Sequence, residues 1–295
     1  MSTNTQHAFF FKQGEADGDA SRRELLGGKG ANLAEMCRIG LPVPPGFTIA
    51  TTVCRMFSEN GGRVPDEVLD EVREKIAMLE KLLERGFGDT EQPLLLSVRS
   101  GAAVSMPGMM DTVLNLGLND ATLEGLHKSS GNRRFGFDLY RRLINMFGDV
   151  VMGVDHHHFE STLSDDKRER GAAQDTDLDP DGLEEVVNRY KAIYRQHVGE
   201  EFPQDPFEQL KRATDAVFRS WNADRAVKYR KIERIGDLIG TAVNVQTMVF
   251  GNLGDTSATG VCFTRDPSTG ENEFYGEYLI NAQGEDVVAG IRTPK

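Results

Sequence analysis

Leu94-Leu95-Leu96-Ser97-Val98-Arg99-Ser100-Gly101-Ala102-Ala103-Val104-Ser105-Met106-Pro107-Gly108-Met109-Met110-Asp111-Thr112 holds the sharpest change of character in the 295-residue sequence. Leu94 to Val98 follows a proline and is a short apolar run, the pattern of a buried strand. From Arg99 to Thr112 the small residues, Gly and Pro predict a mobile loop. An arginine at that junction is costly to place unless it meets an anion, and its planar fork suits phosphate oxygens. A structural ion pair is an equal alternative. The Gly101 to Thr112 segment can bring backbone amides to a polyphosphate. Its Met-Pro-Gly-Met-Met string reads equally well as a docking surface or as packing.

Upstream, Gly27-Gly28-Lys29-Gly30-Ala31-Asn32 opens a helix predicted over Ala31 to Ile39. A glycine turn at a helix start aims free N–H groups and the positive end of the helix at an anion. It is not a Walker A loop, because Lys29 is followed by Gly30 rather than Ser or Thr. It is not a dinucleotide fingerprint either, since the third glycine is missing. Taken alone, it reads more readily as a surface turn with a solvated lysine. Gly40 stops the helix, and Leu41-Pro42-Val43-Pro44-Pro45-Gly46 cannot be helical. Ala8 to Lys12 and Phe47 to Ala50 read as strands, and Thr51-Thr52 can cap a following helix.

Asp66 to Arg85 is amphipathic, with Val68, Val72, Ile76, Leu79 and Leu83 at three- and four-residue steps. Ala121 to Gln209 turns helical, with helices predicted over Phe135–Phe147 and Gly182–Val198. Ser161 to Pro180 between them is charged and almost free of apolar residues, so it is expected to be an exposed, poorly ordered connection. A single helix is predicted over Phe207–Tyr229. Thr241 to Phe250 reads as a strand, Gly251-Asn252-Leu253-Gly254-Asp255 as a hairpin turn, and Gly260–Thr264 and Phe274–Asn281 as further strands. Strands and helices mixed in this way give an α/β (α+β) fold class.

The net charge of −12 argues against a nucleic-acid binder, which needs a basic surface. ATP capture remains open, because it needs only a local cluster of donors and cations. Cys37, Cys54 and Cys262 form no CxxC pattern and predict free thiols. No run of eighteen apolar residues predicts a membrane span. The N-terminus lacks signal-peptide features, so a cytoplasmic location is the default expectation. Asp155-His156-His157-His158 has no spaced fourth ligand and is a poor metal site. Asp111, Glu277, Glu285 and Asp286 lie near the candidate loops, where one or more could face Mg2+. Solvent-facing acids are the simpler reading of each.

The segments together resemble the N-terminal domain of the pyruvate, phosphate dikinase family. The matching strings are Leu26–Met36, Gly40–Phe47, Ser97–Leu118, Gln246–Asn252, Gly260–Gly270 and Gly276–Asp286. They span nearly the whole chain in the family's order. The Met-Pro-Gly-Met-Met-Asp-Thr string is the most specific, and it disfavours the related phosphoenolpyruvate synthases and rifampicin phosphotransferases.

The resemblance implies an ATP-grasp fold, two lobes clamping ATP, with a helical insertion. The first lobe is expected over residues 1–120, completed by about 205–245. The insertion is expected over 121–204, and part of the second lobe over 246–295. ATP and Mg2+ are the implied cofactors. Lys29 matches the phosphate-binding lysine and Arg99 the ATP-binding arginine, both with a catalytic role. Gly101, Ala102, Ser105, Met110, Asp111 and Thr112 fall in the segment that closes over the polyphosphate. Gln246, Met248 and Val249 fall where the hinge strand meets adenine, and Glu277 joins the cofactor-binding set. The implied partners are a phosphohistidine domain, a pyruvate-binding domain and, for the full-length enzyme, a homodimer. The family continues well past Arg292-Thr293-Pro294, so the sequence is expected to be cut short of turnover. A non-catalytic nucleotide- or partner-binding fragment is the competing reading.

Overall fold

The computed structural model describes residues 5–236, 238–288 and 293. Its centre is a six-stranded sheet in the order β2-β1-β3-β6-β4-β5. The strands are β1 (Ala8–Lys12), β2 (Glu15–Ala16), β3 (Gly46–Ile49), β4 (Leu96–Ala102), β5 (Thr112–Leu116) and β6 (Thr241–Thr247). Every neighbouring pair is antiparallel.

Because side chains alternate across a strand, register decides which residues share a face. Phe10, Phe47, Val245, Val98 and Val113 lie opposite one another from strand to strand and join the main core. The row beside it, on the other face, is Phe9, Thr48, Asn244, Arg99 and Thr112. One face is therefore a conventional apolar floor and the other is polar towards β4 and β5.

Helix α1 (Arg23–Arg38) lies on the polar face, with Gly30 against Thr48 and Asn244. It begins earlier than the sequence predicts and kinks at Gly27, where φ is 68°. Lys29 and Gly30 are thus inside the helix rather than ahead of it. Helices α2 (Thr51–Glu59) and α3 (Asp66–Leu83) contribute Val53, Phe57, Val68, Val72, Ile76 and Leu79 to the main core. The three- and four-residue spacing on α3 is thereby realised as a buried stripe.

Helices α4 (Asp120–Ser130), α5 (Arg133–Met146), α6 (His156–Arg170) and α7 (Pro180–Val198) form a helical block, with a π-helical turn over Phe147–Val151. Leu183, Val186, Val187, Tyr190 and Tyr194 are all buried on α7, as their spacing predicts. The expected disorder of Ser161 to Pro180 is overturned by α6. That helix buries only Phe159 and Asp166, so it carries no apolar stripe to read. It is fastened to α7 by charge instead, through Arg170–Glu185 at 2.8 Å and Arg189–Asp166 at 3.3 Å.

The single helix predicted over Phe207–Tyr229 is two, α8 (Pro206–Ser220) and α9 (Asp224–Ile232). Trp221 sits at the break, where Arg230 stacks on its ring at 3.8 Å and donates to its carbonyl oxygen at 2.7 Å. The predicted hairpin turn at Gly251–Asp255 joins no hairpin. β6 belongs to the large sheet, and β7 (Ala258–Phe263) pairs with β8 (Tyr275–Ile280) in a separate ribbon. Helix α10 (Gly284–Val288) follows. Among the described residues no helix is long and apolar enough to cross a membrane.

Candidate functional site

Two close approaches bring α1 down onto the sheet, and a third joins two strands beneath it. A Cβ on Gly27 would lie 1.7 Å from the carbonyl oxygen of Gly101, which no side chain could tolerate. A Cβ on Gly30 would come within 2.7 Å of Thr48 and 2.9 Å of Asn244 Oδ1. A Cβ on Gly101 would meet Asn244 Nδ2 at 2.6 Å. The positive φ at Gly27 is also a conformation that glycine alone adopts readily. The glycines thus serve contact between helix and sheet as well as the turn itself.

That contact places Lys29 along β4. Its Nζ donates to the Ser100 carbonyl oxygen at 2.9 Å. Burial pulls the ammonium down to about 8, and the neighbouring Arg99 guanidinium pushes in the same direction. Arg99 is the middle residue of β4 rather than the start of a loop, because the strand runs to Ala102. It is exposed by area, yet desolvation by the surrounding walls lowers its guanidinium too. Among the described residues neither cation has a carboxylate within ion-pair distance. The solvated lysine of the sequence reading is therefore half-buried, and the structural ion pair considered for Arg99 does not form within the described part.

Gly101 and Ala102 finish β4, and Thr112 opens β5 directly opposite Arg99. Ser105 is exposed between them and Met106 is 6% exposed, so the connection has an open rim and one buried anchor. Met110 is half-buried. Asp111 is held by Arg225 of α9, which also donates to the Met109 carbonyl oxygen at 3.2 Å. Burial raises the Asp111 carboxyl, Arg225 opposes that rise, and Asp149 adds to it.

Gln246 is buried on β6 and donates to the Pro44 carbonyl oxygen at 3.0 Å. Met248 leaves the sheet half-buried, and its N–H donates to the Leu95 carbonyl oxygen at 3.0 Å. Val249 is 71% exposed. Glu277 lies on the exposed ribbon, where it accepts from the Tyr275 hydroxyl at 3.0 Å. Lys29, Arg99, Gly101, Ala102 and Thr112 are thus brought together on or beside β4. Gln246 shares the polar face of the sheet, and Glu277 belongs to the separate β7–β8 ribbon.

The candidate metal carboxylates are dispersed. Asp286 pairs with Arg142 at 2.8 Å, and Glu285 lies 4.0 Å from the same guanidinium. Among the described residues no three His, Cys, Asp or Glu side chains converge on a point that could hold an ion. Asp155 caps α6 by accepting from the His157 N–H, and His158 stacks on His197 at 4.2 Å.

Sequence reading overlooked Thr48, Asn244 and Arg225. A signal existed for Asn244. In Thr241-Ala242-Val243-Asn244-Val245-Gln246, the polar members Asn244 and Gln246 alternate with valines, which marks one polar face of a buried strand.

Comparison with known proteins supplies a family. The model for "Pyruvate phosphate dikinase, AMP/ATP-binding domain" matches residues 23–68 and 62–295. The pyruvate, phosphate dikinase of Rhizobium meliloti (strain 1021) is 58% identical over 287 residues, covering 97% of this chain and 32% of that protein. That of Clostridium symbiosum is 58% identical over 280 residues, covering 95% and 32%. The chloroplastic enzyme of Flaveria pringlei is 55% identical over 295 residues, covering 100% and 31%. The chain spans about a third of the length of these relatives.

Proposed function

Since the chain belongs to the pyruvate phosphate dikinase AMP/ATP-binding domain family, we propose that it grips the polyphosphate of ATP between Lys29, Arg99 and the Gly101–Thr112 segment. In this reading the chain serves as the phosphoryl-donating part of a dikinase that turns ATP, phosphate and pyruvate into AMP, diphosphate and phosphoenolpyruvate. The carrying observation is two adjacent, partly desolvated cations with no carboxylate partner among the described residues. Such charges are costly to hold in a fold. An anion of high charge density relieves that cost.

Each part has a physical task. Phosphoryl transfer asks for positioning and charge neutralisation, with little covalent chemistry from the protein. Arg99 offers a planar fork to two oxygens. Lys29 adds a point charge, and its depressed ammonium gains protonation as phosphate approaches. Gly101, Ala102, Ser105, Met110, Asp111 and Thr112 form the flap. Gln246, Met248 and Val249 take the adenine side, and Glu277 contributes from the ribbon. Mg2+ would enter as the counter-ion of the phosphates, because the described residues assemble no carboxylate set to keep it resident.

The proposed partners are a phosphohistidine domain that accepts the phosphoryl group and a pyruvate-binding domain, within a homodimeric cytoplasmic enzyme. The proposed division of the chain is a first lobe over 1–120 with 205–245, an insertion over 121–204 and part of a second lobe from 246. Calorimetry with Mg-ATP on the chain, beside Lys29→Ala and Arg99→Ala, tests the site. Loss of about a hundredfold in affinity per variant is expected, the upper end for a hydrogen bond to a charged group. Equal binding by all three proteins would remove both residues from the site.

A further inference from the structure

Asn244 is fully buried, at 0% exposure, in the middle of β6. Its Oδ1 accepts from the Thr48 hydroxyl at 2.9 Å. Its Nδ2 has no hydrogen-bond partner among the described residues. A buried amide left with an unused donor is costly, and an apolar residue on this strand would avoid that cost. The amide is also the atom group that the two glycine contacts share. A Cβ on Gly30 would meet Oδ1 at 2.9 Å, and one on Gly101 would meet Nδ2 at 2.6 Å. The same point above Gly101 lies 3.4 Å from the Cβ of Lys29. In the sheet register Asn244 stands directly opposite Arg99. One side chain therefore touches the seat of the helix, flanks the root of Lys29 and neighbours Arg99.

We infer that Asn244 is a positioning residue for the anion site, its amide setting the height of α1 above the sheet so that the Lys29 ammonium rests on the Ser100 carbonyl beside Arg99. This rests on the nucleotide-binding reading above and goes beyond it, since Asn244 itself is sealed from any ligand. Thr48 fixes the amide from the β3 side. Gly30 and Gly101 supply the two surfaces that let helix and strand close around it. Shortening the side chain lets α1 settle and turns the ammonium off its carbonyl. Replacing the amide with a carboxylate puts a counter-charge under the two cations and cancels the field that would draw a polyphosphate.

Asn244→Asp and Asn244→Ala separate this role from a purely structural one. For each, Mg-ATP affinity is measured by calorimetry, the Lys29 titration by NMR of its labelled side chain, and the unfolding midpoint by heat. The expected result is at least a tenfold loss of affinity in both variants. The Lys29 midpoint should move up from about 8 in Asn244→Asp, where a carboxylate joins it, and down in Asn244→Ala, where the ammonium loses its carbonyl acceptor. A fall in unfolding temperature with unchanged affinity and an unchanged Lys29 midpoint would overturn the inference. Should a variant fail to fold, the wild-type side-chain amide signal of Asn244 decides. It should shift when Mg-ATP is added, and an unmoved signal at saturation contradicts the role. If the wild-type chain binds no Mg-ATP at all, the nucleotide reading itself fails, which is a different result from equal binding by wild type and variants.

Discussion

Two groups of cations in this molecule receive opposite treatment. In the helical block, Arg141 meets Asp138 at 2.7 Å and Asp175 at 2.9 Å. Arg142 meets Asp138 at 3.1 Å and Asp286 at 2.8 Å. Burial alone would push the Asp138 carboxyl up, yet Arg142, Arg141 and Arg134 hold it far below the usual carboxylate range. On the sheet, Lys29 and Arg99 stand side by side, and among the described residues their only polar relief is the Ser100 carbonyl oxygen that accepts from Lys29. The first group is internally neutralised and ties α10 to α5. The second group is left short of negative charge. Burial of charge is common to both, so burial by itself points to nothing. A missing counter-charge distinguishes a site from a joint.

The contrast breaks most visibly on the paired side. Arg142→Ala leaves the buried Asp286 without its cation and Asp138 with Arg141 alone, and loss of one partner of a buried pair typically costs about 3–5 kcal/mol. Urea denaturation should show a drop of that order. An unchanged midpoint would mean that the network contributes no net stability. On the unpaired side, Arg99→Ala should behave in reverse. Mg-ATP affinity should fall by about a hundredfold, while the denaturation midpoint of the free protein stays within about 0.5 kcal/mol.

Lys29→Met sharpens the point through pH. Burial, and then the neighbouring Arg99 guanidinium, pull the folded Lys29 ammonium down to about 8 from the ordinary lysine value of 10.5. Between those values the unfolded chain holds a proton that the folded chain has released, so stability rises with pH across that window. Below pH 8 the lysine destabilises the fold. Removing it should stabilise the free protein at pH 7 by about 1–2 kcal/mol, after discounting for its partial exposure. That gain should vanish above pH 10.5. A destabilised variant at pH 7 would mean that the ammonium is held for the fold. The smallest effect is expected at Arg225, which is half-exposed and pairs with Asp111 at the end of the Gly101–Thr112 segment. Arg225→Ala should change stability by less than about 1 kcal/mol while speeding amide exchange across Met106–Asp111.

Much of this was legible beforehand, and the rest was hidden for physical reasons. The stripes on α3 and α7 are long and regular, so period alone placed them. Lys29 and Arg99 stood out because a glycine turn and a strand end are unusual places for a fixed charge. Helix α6 was invisible, because Asp166, Arg170 and their partners on α7 fasten it by charge, and composition reads such a segment as solvated. The sequence places Arg99 at the start of a loop, because Gly101 and Ala102 look like loop residues. Here their smallness lets α1 approach the strand. The partner of β7 was missed because Gly251–Asp255 has the residues of a hairpin turn, and strand pairing is a long-range choice.

The most direct test is the titration of Lys29 in the isolated chain, followed by NMR of its labelled side chain with and without saturating Mg-ATP. The ammonium should titrate near 8 in the free protein and well above that with nucleotide bound, because the phosphates supply the counter-charge that the fold withholds. An ordinary lysine value that ATP leaves unmoved would contradict the account.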